Sequence, residues 1–165
     1  MLGVVIASDF SVSQHVQQLV TASAQTIYAL RVLRSCGLSN AALQHVYRAT
    51  VIARLTYAAS AWRGFIKASD RQRIDSVIDR ARRYGYCAPD LPPFDELWCD
   101  SADDELFNKA LRLPNHVLHP LLPPPSTASQ HYNMRERTHS LQLPEHSAHL
   151  SDCNFITHML YKNTY

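Results

Sequence analysis

The fold is decided by residues 11–37, which read SVSQHVQQLVTASAQTIYALRVLRSCG. Small or apolar side chains recur here every three or four residues, a spacing that places them on one face of an α-helix. They are Val16, Leu19, Val20, Ser23, Ile27 and Leu30. Ser11 or Ser13 can cap the start of this helix, and Gly37 stands where a glycine commonly ends one. The stretch therefore predicts a long amphipathic helix.

Two more helical patterns follow. The second helix is expected to begin after Ser39, with one apolar stripe formed by Leu43, Val46, Tyr47, Thr50, Tyr57 and Ala61 and a second flank formed by Val51, Leu55 and Trp62. The third opens on the capping-box pattern Ser69-Asp70-Arg71-Gln72, with a predicted buried face of Ile74, Val77, Ile78, Ala81 and Tyr84.

Three such helices predict a mainly α fold, a small helical bundle over Ser11–Tyr86. We expect one shared core, formed by Val16, Leu19, Ile27, Leu43, Val46, Tyr57, Ile74 and Ile78. Residues 1–10 are a separate case. They contain one buried strand, Leu2–Ile6, without a partner strand to satisfy its backbone, so we expect it to be the remnant of a larger upstream unit.

The second half of the chain carries weaker patterns. Residues 87–112 predict an acidic loop with two short helices, Phe94–Trp98 and Asp103–Arg112. Residues 113–165 predict a Pro-rich linker and a weakly ordered tail that ends in a short amphipathic helix, Asn154–Tyr161. The predicted organisation is therefore a strand remnant, a helical bundle, an acidic joint and a tail.

Charge is distributed unevenly along the chain, although the formal net charge of the whole is only +2. Residues 11–86 carry eleven Arg or Lys against three acids, a formal +8, whereas residues 87–112 sum to −5. A basic block of this kind is the electrostatic footprint of a polyanion partner. A solvated, self-repelling surface is the alternative that charge alone leaves open.

Four arginines of the basic block are candidate nucleic-acid-binding residues. Arg73 and Arg80 stand two helical turns apart, about 10 Å along one helix edge, a spacing that suits successive phosphates. Arg83 follows on the same helix, with Asp79 as its expected i, i+4 partner. Arg54 falls inside the apolar stripe of the second helix, where it either snorkels, pairs with an acid or reaches a phosphate in a groove.

Several short motifs follow one another in an order that resembles that of a known family. The first is Leu2-Gly3-Val4 with Asp9 and His15-Val16, the second is Tyr57–Trp62, and the third is the Arg-rich third helix. The later ones are Leu106-Phe107, His116–His119, Leu121–Pro124, Tyr132–His139, Asn154–Ile156 and Met159–Tyr161. Together they resemble the region after the palm of non-LTR (LINE-type, jockey-like) retrotransposon reverse transcriptases, where a primer grip is followed by a helical thumb and a tail.

The resemblance implies a thumb-like module that contacts the phosphates of a template–primer duplex beside a missing upstream palm domain. The parent family is an RNA-directed DNA polymerase that uses Mg²⁺ held by paired aspartates, one pair in an aromatic-x-Asp-Asp turn. That turn belongs upstream of Leu2-Gly3. Ala102-Asp103-Asp104 mimics its end but lacks the aromatic residue and is typical of a helix N-terminus. We therefore expect a non-catalytic fragment with no catalytic residue and no cofactor of its own.

Two other functions stay open, a helical protein-interaction module and a functionless remnant of a decayed mobile element. Nine histidines invite a metal hypothesis, but the cysteines and histidines match no zinc spacing, so we predict no metal site and no small-molecule substrate. No secretory pattern and no membrane-length apolar run is present. We therefore expect four reduced cysteines, no membrane partner and an intracellular protein, nuclear or cytoplasmic.

Overall fold

The computed structural model describes residues 3–88, 91, 94, 101–126, 139–145 and 153–162. The described residues are mainly helical, which confirms the predicted fold class. The chain divides into two compact units, Met1–Cys99 and Asp100–Tyr165. The finer boundaries expected at residues 10, 86 and 112 stay predictions.

The first unit contains helices of very different length. The α-helices described in this unit include α1 (Ser13–Ser35), α2 (Asn40–Tyr47), α3 (Ala53–Thr56), α4 (Ala59–Trp62) and α5 (Ala68–Arg83). A π-helical turn, Arg48–Ile52, joins α2 to α3, and a 3₁₀ turn, Arg63–Phe65, follows α4. The core lies where α1 packs against α5 and against α2 with the π-helical turn.

Helices α1 and α5 lie side by side and run in the same direction. Near their starts the Ser13 hydroxyl donates to Asp70 Oδ2 at 2.6 Å, and near their ends the Arg31 guanidinium lies 5.6 Å from the centre of the Tyr84 ring. Their facing apolar residues are buried as expected: Val16, Leu19, Ile27 and Leu30 from α1, and Ile74, Val77, Ile78 and Ala81 from α5.

Both long helices end on a glycine with a positive φ. After α1, the N–H of Gly37 (φ 89°) donates to the Arg34 carbonyl, and the N–H of Leu38 donates to the Leu33 carbonyl. After α5, Gly85 (φ 73°) ends the helix with the same pair of hydrogen bonds. This is the Schellman arrangement, in which glycine adopts the left-handed conformation without a Cβ clash. The predicted role of Gly37 is confirmed.

The second predicted helix is interrupted twice. The π-helical turn takes one extra residue into a turn, and Ala58, in the left-handed conformation at φ 51°, then ends α3. The residues that follow are rotated relative to a regular helix, so Tyr57 is 46 % exposed while Leu55 and Trp62 are buried. The prediction that Tyr57 belongs to the core is therefore wrong. Before the π-helical turn Leu43 and Tyr47 of the first stripe are buried as expected, with Val46 half-buried beside them. From that turn onward the second flank, Val51, Leu55 and Trp62, supplies the core instead.

Two further expectations for the first unit are corrected. Residues 3–7 form no strand, and no second strand lies beside them in the described part of the chain. Instead Val4 packs against the core and the Val5 N–H donates to His15 Nδ1 at 3.5 Å, so helix contacts replace strand pairing. Tyr84, expected on the buried face of the third helix, is 37 % exposed because it follows the last helical residue and lies under Arg31.

The second unit has a small apolar cluster of its own. Its helices are α6 (Ser101–Arg112) and α7 (Phe155–Tyr161), with a 3₁₀ turn at His119–Leu121. Phe107, Met159 and Leu160 are buried together, and Leu111, Leu122, Leu141, Leu143, Phe155 and Ile156 pack around them. An isolated antiparallel bridge joins Pro125 and Leu141.

The expected C-terminal helix is present as α7. Asn154 caps it, since its side-chain oxygen accepts from the Ile156 N–H at 2.8 Å. Residues 95–98 of the predicted helix Phe94–Trp98 lie outside the described residues, and so does most of the tail expected to be weakly ordered.

Candidate nucleic-acid interface

Arg73 is held in a polar network between α1 and α5. Its Nη1 donates to Asp70 Oδ1 at 2.9 Å, and its Nη2 donates to Gln17 Oε1. Asp70 is only 4 % exposed. Asp70 lies three residues before Arg73 on the same helix, so this arginine is paired within the protein. The capping box predicted at Ser69-Asp70 is wrong, because α5 already begins at Ala68 and Asp70 is used to hold α1 and Arg73.

Arg80 and Arg83 stand at the C-terminal end of α5 with exposed side chains. Neither makes a hydrogen bond or ion pair with a described residue. Asp79, the expected partner of Arg83, pairs with Arg82 instead, and Arg82 Nη2 also donates to the Leu91 carbonyl at 2.7 Å. The predicted Asp79–Arg83 pair is therefore wrong. Arg80 and Arg83 are about one helical turn, or about 5 Å, apart along the helix axis. Their guanidinium N–H groups have no described partner and can bind an anion.

The helix beside these arginines carries no acid. The sequence of α1 contains neither Asp nor Glu, and its exposed edge toward α5 bears Gln17 and Arg31. We call the combined face the α1–α5 surface, formed by Gln17 and Arg31 of α1 with Arg73, Arg80, Arg83 and Tyr84 from α5 and its C-cap. Arg31 and Tyr84 were missed from the sequence because they meet only across the helix pair. Asp70, which contacts this surface through Arg73, is buried and already bonded.

Arg54 belongs to α3 and lies beside a different flank of α1. It is exposed at the edge of a cleft of about 620 Å³ between α1, which contributes Gln18 and Ala22, and the residues from Ala49 to Tyr57. Successive side chains of a helix point about 100° apart. Gln18, which lines the Arg54 cleft, therefore does not share a face of α1 with Gln17, which bonds to Arg73. The structure therefore places Arg73 and Arg80 along one edge of α5, with Arg83 one turn beyond Arg80, and leaves Arg54 beside another flank of α1.

A buried histidine forms part of the wall of the Arg54 cleft. His15 is 5 % exposed and its ring meets the Trp62 ring edge-on, with centroids 5.1 Å apart. Burial lowers the pKa of His15 below its ordinary value, so the ring is neutral at pH 7. His15 thus supplies packing and accepts a backbone hydrogen bond, and it adds no positive charge to the cleft.

The two aspartates that mimic a polymerase motif stand in the first turn of α6. Asp103 is 4 % exposed, and Asp104 Oδ1 accepts from Lys162 Nζ at 2.8 Å, so this carboxylate links α6 to the residue after α7. Among the described residues no group of three or more His, Cys, Asp or Glu side chains is placed to hold a metal ion. The described helices also include none with the length and apolar character needed to cross a bilayer.

Comparison with known proteins adds no relative. Scans of protein-family models, of curated proteins and of solved structures each return no match to this chain. The likeness to non-LTR reverse transcriptases therefore rests on the order of the short sequence motifs and stays a prediction.

Proposed function

We propose that this protein is a non-catalytic, thumb-like helical module of the reverse-transcriptase type, which contacts the phosphates of a template–primer duplex. The observation that carries the proposal is the α1–α5 surface. Arg80 and Arg83 project from it without a protein partner among the described residues, beside a helix that has no acid. The catalytic aspartates and their Mg²⁺ would belong to an upstream palm domain, and the location would be nuclear or cytoplasmic.

The arrangement of the arginines suits backbone phosphates better than bases. Arginine donates several N–H groups in a fixed fork, which matches phosphate oxygens. Arg73 and Arg80 lie on one edge of α5, about 10 Å apart along the helix axis. Asp70 and Gln17 hold the first of them in place. Contacts made only to phosphates position a duplex without reading its sequence, so binding is expected to be blind to sequence.

The test is a fluorescence-anisotropy titration of the complete 165-residue chain with a primer–template duplex at several salt concentrations. Each phosphate neutralised contributes about 0.9 to the slope of log K against log salt. Because Asp70 already balances the charge of Arg73, Arg80 and Arg83 are the two cations expected to neutralise one phosphate each. A slope of about −2 is therefore expected, equal for unrelated duplex sequences. Binding that is absent at low salt, or present and indifferent to salt, would rule out the thumb-like function.

A protein-interaction module is the second candidate, and one observation favours it. Tyr28 and Val32, one helical turn apart on α1, are 67 % and 44 % exposed and face away from its buried side. Trp62 is fully buried and therefore contributes nothing to such a contact surface. This function predicts that substituting Arg80 changes nothing and that the duplex titration shows no binding.

A further inference from the structure

The Tyr28 ring of α1 is exposed to solvent and free of contacts with other rings. Its exposed fraction is 67 %, and it makes no hydrogen bond and no ring contact with a described residue. A single exposed apolar side chain needs no explanation by itself, so the meaning of this ring depends on its position.

Tyr28 lies on the flank of α1 that faces α5. It follows Gln17 by eleven residues, close to three full turns of about 3.6 residues, so the two side chains point within about 20° of each other. Gln17 is the residue of α1 that bonds to Arg73 of α5. Tyr28 therefore adjoins the α1–α5 surface, about 16 Å further along the helix than Gln17.

The ring is level with the last turn of α5. Arg31, three residues after Tyr28 on α1, lies 5.6 Å from the centre of the Tyr84 ring at the C-cap of α5. Since α1 and α5 run in the same direction and rise equally per residue, Tyr28 is level with the turn of α5 just before Tyr84. That turn contains Arg80 and Arg83, the two exposed arginines without a described partner.

The charge that Tyr28 shares this surface with is positive. Helix α1 contains neither Asp nor Glu. Each acid of α5 is bonded elsewhere: Asp70 to Ser13 and Arg73, Asp75 to the Phe94 N–H, and Asp79 to Arg82. The surface therefore attracts a polyanion and presents an aromatic ring to it.

A single-stranded nucleic acid fits this combination of ring and cations. Arginines bind the phosphates of the strand, and an exposed aromatic ring stacks on its bases, because every base has a π-face. Within a duplex the bases cover one another, so only an unpaired base can stack on the ring. A purely apolar protein surface would leave the arginines without a partner.

We propose that Tyr28 stacks on an unpaired base, so that the protein binds a nucleic acid where its duplex part meets a single-stranded part. The proposal rests on the proposed function, because Arg80 and Arg83 hold phosphates of the same strand. Tyr28 is level with these arginines, so the stacked base and the bound phosphates belong to neighbouring nucleotides. Stacking does not read base edges and tolerates every sequence.

The experiment measures the affinity of the complete chain for four fluorescent DNA ligands by anisotropy. They are a blunt duplex, the same duplex with a short single-stranded extension, the extended duplex with abasic sites in its extension, and the free single strand. The abasic extension keeps every phosphate and lacks the bases. Since one base stacked on an aromatic side chain is worth about fivefold or more in affinity, the normal extension should bind at least about fivefold tighter than the abasic one.

Variants at Tyr28 separate stacking from phosphate contacts. Tyr28→Ala should remove the difference between the normal and the abasic extension. Its slope of log K against log salt should stay that of the unaltered chain, because an uncharged side chain releases no counterion. Tyr28→Phe keeps the ring and should keep the difference. Tyr57→Ala is the matched control, since Tyr57 is also exposed but borders the Arg54 cleft, and it should behave as the unaltered chain does.

The outcomes distinguish the stacking proposal from the proposed function. Equal affinities for the two extensions, or equal losses in Tyr28→Ala and Tyr57→Ala, would overturn stacking, while salt-dependent binding of the blunt duplex would still support the phosphate contacts. Tyr28-dependent binding of the free single strand without binding of the blunt duplex would support stacking and reject the thumb-like function. No binding of any ligand would overturn both. The comparison of the two extensions uses the unaltered chain and decides the proposal without a variant.

Discussion

Helices α1 and α5 pack continuously from their first turn to their last, whereas residues 40–65 pass through five short helical elements. Both regions have helical periodicity in the sequence. In the first the expected faces are the buried ones, apart from Tyr84 at the C-cap, and in the second the face changes at the π-helical turn. Sequence periodicity therefore predicts the buried face of a helix only up to the point where the regular helical period is interrupted.

The two regions are also held together differently. The start of the α1–α5 pair is fixed by a buried carboxylate, Asp70, which bonds to Ser13 and Arg73. The broken region is fixed by a large ring, since Trp62 Nε1 donates to the Tyr57 carbonyl at 3.1 Å and the indole stacks on Phe94. Loss of the ring should therefore cost more than loss of the carboxylate.

The largest effect is expected for Trp62→Ala. Removing a fully buried indole from a core typically costs about 3–5 kcal/mol, and here the hydrogen bond at the helix break is lost as well. Urea denaturation gives the free energy of unfolding directly. Tyr57→Ala is the matched control at the neighbouring exposed ring, and its loss should stay below about 1 kcal/mol. Equal losses of stability for the two variants would indicate an uninterrupted helix in this region and would contradict the break before Trp62.

Asp70→Ala should produce the second largest effect. It removes the acceptor of Ser13 and the partner of Arg73 from a buried position, a loss of about 2–3 kcal/mol in the free energy of unfolding. Asp79→Ala is the control, because the Asp79–Arg82 pair is a solvent-exposed ion pair worth less than about 1 kcal/mol. Chemical denaturation of both variants measures the difference. A smaller loss for Asp70→Ala than for Asp79→Ala would contradict the interhelix role of Asp70.

Glycine exchanges at two helix ends should act in opposite directions. Ala58 has a φ of 51°, so Ala58→Gly relieves left-handed strain and should raise the free energy of unfolding by about 1 kcal/mol. Gly37 has a φ of 89° and open space where a Cβ would stand. Gly37→Ala should therefore lower stability by about 1 kcal/mol through backbone conformation alone. Thermal midpoints of the two variants check the signs, and a shared sign would contradict one of the assigned conformations.

The smallest effect concerns pH. Because burial lowers the pKa of His15 from its ordinary 6.5, the unfolded chain binds a proton more readily than the folded chain below that pH. This contribution should lower stability as pH falls through about 6.5 and level off below the folded pKa. Urea midpoints between pH 7.5 and 5 should show a weaker fall in His15→Gln than in the unaltered chain. Parallel curves would show that His15 does not titrate differently on folding.

The structural features that the sequence predicts are those marked by residues close together in the chain. Gly37 marks the end of α1 because glycine alone adopts its backbone conformation without strain, and the stripe from Val16 to Leu30 fixes the buried face. The break at Ala58 has no such mark, since alanine favours helix and the stabilising partner is the Trp62 indole. Of the candidate site, the position of Arg80 two turns after Arg73 followed from the helix pattern, whereas Arg83 was expected to pair with Asp79. The contact between Arg31 and Tyr84 did not follow from that pattern, because it joins residues far apart in sequence.

The regular α1–α5 pair and the interrupted region each carry exposed arginines, and only those of the α1–α5 pair are expected to bind a duplex. Arg80 and Arg83 lie on the α1–α5 surface, and Arg54 lies in the broken region on another flank of α1. All three are exposed and make no ion pair with a described residue, so they differ in position and not in availability. Single alanine variants at these positions should all fold, since none of the three side chains packs in the core.

The most direct measurement is therefore the salt dependence of duplex binding for three chains: the unaltered protein, Arg80→Ala with Arg83→Ala, and Arg54→Ala. If the α1–α5 surface contacts phosphates, the double variant should lose about 2 units of the slope of log K against log salt, on every duplex sequence. Arg54→Ala should keep the slope of the unaltered protein. A double variant with an unchanged slope, or an equal loss per arginine at Arg54, would contradict the assignment of the duplex to the α1–α5 surface.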